Sequence, residues 1–163
     1  MLFVTFFIPP VFVSAMSDQL ILQIHLVMGD IPSANNMIST IITSPQPGQD
    51  LAANQAFTVN LQVQNLVAGS FTNADTTYYA APQALSKGNI VGHSHVSIQS
   101  LGNDLNTQTP PDPATFVFFK GINDAGNGNG GLNASVASGL PAGFYRVCTL
   151  TSTSNHQPVL MPV

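Results

Sequence analysis

The sequence predicts an all-β domain, an antiparallel immunoglobulin-like sandwich of about seven strands. Three observations lead there. The run AFTVNLQVQNL alternates apolar and polar residues without a break, the period of a strand with one buried and one wet face. The chain has no glutamate and only Lys87, Lys120 and Arg146 as strong bases, so the usual solvent-facing helix formers are missing. The segment GLPAGFYRV reads as a crossover between two sheets, where a proline-glycine turn delivers a tyrosine into the next strand.

The elements follow in order. STIITSP reads as a short edge strand closed by Pro45, with QPGQD as the turn after it. In the alternating run, Phe57, Val59, Leu61 and Val63 take the inner face and Thr58, Asn60, Gln62 and Gln64 the outer one. A long aperiodic connection carries Phe71, Asn73, Asp75, Tyr78 and Tyr79. NIVGHSHVSIQSL is the next strand, followed by the proline-stiffened loop GNDLNTQTPPDP. ATFVFFKGI is apolar on both faces and reads as a central strand; NDAGNGNGG is a glycine-asparagine tip. A strand around Leu132–Val136 precedes the corner, FYRVCTLT follows it, and QPVLMPV is expected as a final edge strand. Phe116, Phe118, Tyr145 and Val147 are expected to pack against the inner face of the first long strand, while Phe144, Arg146, Cys148 and Leu150 point the other way.

Before the sandwich, assigned to residues 38–163, the apolar opening MLFVTFFIPPVFVSA is expected to be a signal peptide over residues 1–15. It is too short to span a bilayer, and small residues precede a cleavage point. Residues 16–37 would be a leader, in which the type of LILQIHLVMGD stays open. These readings give a secreted, extracellular protein with no stable membrane insertion after signal removal. The net charge of −4 and three strong bases argue against nucleic acid as a partner, since phosphate contacts need lysine and arginine. Cys148 is alone, so no intrachain disulfide forms, and within an apolar run it reads as a small buried hydrophobe.

The segments AFTVNLQVQNLVAGSFTN, YYAAPQ, GHSHVSIQSLG, FVFFKG, GLPAGFYRVCTLTS and SNHQPVLMPV resemble a family of small, secreted, largely uncharacterised fungal proteins, some carrying names borrowed from a ribosomal protein. The resemblance runs from about Ile38 to the end and implies an extracellular setting. It implies no catalytic residue.

His93 and His95 stand one residue apart and share a strand face with Val91, Ser97 and Gln99. Two such imidazoles can ligate one metal with a third ligand from elsewhere, His156 first, or a carboxylate from Asp104 or Asp112. The plainer reading has the pair hydrogen-bonded to backbone, closing one end of the sandwich. Ser94 lies on the opposite face, which argues against a serine-histidine nucleophile. Phe71, Tyr78 and Tyr79 beside Asn73 and Asp75 form a candidate glycan-binding group of stacking rings and hydrogen-bonding side chains; the alternative is that the tyrosines cap the core. Asn133, in the pattern NAS, is a candidate glycosylation site.

No hydrolase elbow, Walker loop or dinucleotide fingerprint is present. The functional expectation is therefore a secreted, non-catalytic surface or cell-wall module without a cofactor, whose partner is a cell-wall polysaccharide or another secreted protein. The alternative is a copper or zinc metalloprotein using His93, His95 and His156, either as a carrier or as an oxidising or hydrolysing enzyme.

Overall fold

The computed structural model describes residues 28–77 and 81–163. The expected signal peptide, most of the leader, and Tyr78 and Tyr79 lie outside these residues. Eight strands are present among those described: β1 (Ser39–Ser44), β2 (Phe57–Gln64), β3 (Leu66–Val67), β4 (Leu85–Ser86), β5 (Asn89–Gly102), β6 (Phe118–Ile122), β7 (Gly131–Val136) and β8 (Phe144–Thr153). The only α-helical segment among them is the single turn α1 (Ala74–Thr77).

The strands form two sheets. One is antiparallel in the order β1-β2-β7. The other is built on β5, which pairs antiparallel with β4, β6 and β8 and parallel with the short β3. The sheets meet through an apolar layer in which β2 gives Val59, Leu61 and Val63 and β7 gives Leu132, Ala134 and Val136. From the other sheet come Val96 and Ile98 of β5 and Ile122 of β6. The domain is an all-β sandwich, as the alternation in AFTVNLQVQNL requires: Thr58, Asn60, Gln62 and Gln64 all face water.

The tyrosine corner forms as expected. Tyr145 is half-buried against the core beside Val147, and its hydroxyl donates to the Pro141 carbonyl at 2.9 Å. Alternation then turns Phe144, Arg146 and Leu150 outward into solvent, and Cys148 is half-buried. A register shift in β5 between Ser100 and Gly102, opposite this start of β8, does not bury Phe144.

Three expectations are corrected. Phe116 is not a core residue: it precedes β6, is half-exposed and lies 5.6 Å from the Phe119 ring. ATFVFFKGI is not a central strand, because β6 bonds only to β5; an edge position leaves Val117 and Phe119 at the surface. QPVLMPV does not form a strand, only an isolated bridge between Ser152 and Pro158, since proline cannot donate to a ladder. At the other end of the described chain, Gly29 bridges Gln83, and the Met28 carbonyl accepts from Gln83 N–H at 2.9 Å and from the Gln157 amide at 3.1 Å.

Val59→Asp is expected to abolish folding, because the carboxylate would stand unpaired in the apolar layer. Tyr145→Phe is expected to fold and lose about 1 kcal/mol in denaturant unfolding, the worth of one hydrogen bond. A soluble, cooperatively unfolding Val59→Asp protein would contradict this account of the core.

Candidate metal centre

The outward face of the β5 sheet carries His93 and His95, two positions apart, while Ser94 between them points into the core and is buried with no hydrogen-bond partner. An outward sheet face is ordinarily wet, yet both imidazoles are buried. What covers them is the stretch around Phe71. Ser70–Thr72 runs over the end of β5, held by Ser70 N–H to the Gly92 carbonyl (3.1 Å) and by Thr72 N–H to the Ser154 carbonyl (2.7 Å). The hydroxyls of Ser70 and Ser154, 2.7 Å apart, add a side-chain rung.

Close contact between β5 and β8 is possible because residue 92 is glycine. A Cβ there would lie 2.0 Å from the Ser152 carbonyl oxygen, well inside contact distance. β8 then ends in a tight turn: His156 N–H donates to the Thr153 carbonyl and Thr153 N–H to the Gln157 carbonyl. His156 sits in that turn with φ of 71°, the left-handed region that a side-chain-bearing residue adopts at a cost. The turn brings His156 back over β5.

Three imidazoles thus converge. Ring centroids are 4.6 Å apart for His93–His95, 4.8 Å for His93–His156 and 6.0 Å for His95–His156. Their ligand nitrogens all lie within 4.8 Å of one another. Three points so spaced share a centre within about 2.8 Å of each, against roughly 2.0–2.1 Å for nitrogen on zinc, so small side-chain movements close the set.

Each ring is oriented by a backbone carbonyl. The Nδ1 of His93 lies 3.1 Å from the Ser70 carbonyl, the Nδ1 of His95 3.3 Å from that of Leu150, and the Nε2 of His156 3.0 Å from that of Thr72. A carbonyl only accepts, so each of these nitrogens carries the proton. In His93 this leaves Nε2 as a lone pair, buried and without a hydrogen-bond partner.

The electrostatics keep His93 and His95 neutral. Burial, and then the neighbouring His95 and His156, lower the His93 pKa from its ordinary 6.5 to about 4. Burial also lowers that of His95; its bond to the Leu150 carbonyl works against this, and His156 adds to the lowering. A neutral imidazole with one nitrogen anchored, as in His93 and His95, is the form in which histidine binds a metal.

The remaining candidates fall elsewhere. Asp104 and Asp112 do not join the cluster: their carboxylates accept backbone N–H groups of Asn106 and Ala114, shaping the loop before β6. Among the proposed glycan-contacting residues, Asn73 caps α1 by accepting from Asp75 N–H at 2.8 Å. Asp75 is exposed. Phe71 sits edge-on to His93, ring centroids 6.2 Å apart, and so belongs to the histidine site. Asn133 is exposed on β7.

The family described as "CLU5d N-terminal domain" matches residues 40–163. The chain is 64% identical over 139 residues to "Pathogenicity cluster 5 protein d" of the fungus Colletotrichum graminicola. That alignment takes in 85% of this chain and 29% of the relative, so the chain spans well under half of the relative's length. No solved structure matches. The matched region holds β2 to β8 and all of β1 but Ser39, together with His93, His95 and His156, and the chain belongs to the family of the CLU5d N-terminal domain.

Proposed function

We propose that the domain holds one divalent transition-metal ion, zinc or copper, on His93, His95 and His156, within a secreted fungal protein. The observation that carries this reading is the buried, unpartnered Nε2 of His93 standing among two further imidazoles, each ring oriented through its other nitrogen by a backbone carbonyl. A buried acceptor without a donor is costly, and a metal ion supplies the missing partner. Three nitrogen ligands leave a fourth position for water or another molecule, the pattern of an open rather than a closed site. Ligation through Nε2 of His93 and His95 follows from their anchored nitrogens, with His156 as the third ligand.

The secreted setting is supported by the charge-poor surface of Asn, Gln, Ser and Thr and by exposed Asn133 in its acceptor pattern. The relative's name places that protein in a fungal pathogenicity cluster, a setting compatible with work outside the cell. A cell-wall glycan role has less support in the geometry, because Asn73 is used as a helix cap and Phe71 packs on His93.

Protein purified without an affinity tag is expected to bind one equivalent of zinc or copper in calorimetry. Metal at about a hundred times its dissociation constant adds about 2.7 kcal/mol, a rise of roughly 5–10 °C in the unfolding midpoint. His93→Ala is expected to weaken binding by at least the ~10–100-fold that loss of an orienting partner alone costs. Folded, metal-free protein that takes up neither ion would end the proposal.

Without metal, acid should destabilise the domain. His93 and His95 bind protons less readily folded than unfolded, so stability is intact above about pH 6.5 and falls as the pH drops towards 4. His93→Asn should flatten that slope in pH-dependent thermal melts. An unchanged slope would show that His93 is not held neutral.

A further inference from the structure

We infer that the open position of the metal centre accepts an aromatic oxyanion, a benzoate- or phenolate-type molecule whose oxygen meets the metal while its ring lies among exposed side chains. This rests on the metal-binding reading above. The proposed ligand set is three imidazoles and no carboxylate or thiolate, so a divalent ion would keep both its positive charges and favour an anionic oxygen donor in its open position.

The rim of the site selects the rest of the molecule. Phe119 stacks on His95 at 5.4 Å and 27° between ring planes, yet remains 53% exposed. Phe71, edge-on to His93, is 48% exposed. Leu150, opposite His95 on the same outward face, is 47% exposed. Large apolar side chains left at the surface around a polar centre mark a binding site more often than scattered single ones do.

Gly121 stands opposite His95 in the β5–β6 register, and a Cβ there would lie 3.6 Å from the His95 Nε2. A Cβ there would also lie 3.1 Å from the Asn123 Oδ1, so the Asn123 amide borders the rim beside that nitrogen. A flat ring can stack on the half-exposed Phe119 while its oxygen is held by the ion, and aromatic pairs of this kind add attraction beyond area alone.

The test compares sodium benzoate with sodium acetate, which share a donor group and differ in the ring. Protein carrying one equivalent of copper(II) is titrated with each while the copper spectrum is followed. Benzoate is expected to bind ~3- to 10-fold more tightly than acetate, the range one or two aromatic contacts supply. Phe119→Ala and Phe71→Ala, each loaded with one equivalent of copper(II), should bring the ratio toward one. Equal affinities for the two anions, or a preference that survives in both variants, would overturn the inference. Failure to take up copper shows before any carboxylate is added; it overturns the metal reading and the inference with it.

Discussion

The pleat of β5 is the constraint on which the rest of the molecule depends. This 14-residue strand is the shared partner of β3, β4, β6 and β8, so every element of its sheet is placed relative to its register. Its alternation sends Val96 and Ile98 into the core and His93, His95 and Gln99 to the outside. A slip of one residue would bury two imidazoles among valines and leucines and expose the core side chains. The apolar layer that folds the sandwich therefore also aims the histidines. Gly92 permits the close contact with β8 that carries the chain on to His156.

The outward face is then roofed in a polar manner. The loop before β6 covers Gln99, whose amide donates to the Asp112 and Thr115 carbonyls and whose oxygen accepts from Arg146. Ser70–Thr72 and the turn at His156 cover the histidines. At Gln99 every polar atom finds a partner. At His93 one does not. The same sheet face thus shows a satisfied polar cluster and, two rungs further along, a cluster with one unmet acceptor. That contrast marks the histidine site, where the buried Thr72 hydroxyl of the roof is likewise without a hydrogen-bond partner.

Much of this was legible in the sequence, for physical reasons. Period two in AFTVNLQVQNL reports one-sided burial directly, and GLPAGFYRV reports a corner whose tyrosine hydroxyl needs a carbonyl, found at Pro141. The pair His93 and His95 shares a face by the same alternation, and His156 was named as the third member. Two things were not legible. ATFVFFKGI looks central because its apolar residues suit burial on both faces, but an edge strand can keep apolar side chains outside where they line a site, as Phe119 does. The roof of Ser70–Thr72 acts through backbone carbonyls, which every residue has, so AGSFTN carries no side-chain signal for it. Only Phe71 marked that loop as worth attention, and it was read toward sugars rather than toward His93.

The central claim is that three imidazoles bind one ion, and X-ray absorption of the zinc-loaded protein tests it most directly. The account predicts about three imidazole nitrogens at roughly 2.0–2.1 Å with one lighter donor completing the shell. A shell of oxygen donors with one imidazole or none would contradict it, and would return His93, His95 and His156 to the role of polar side chains closing one end of the sandwich.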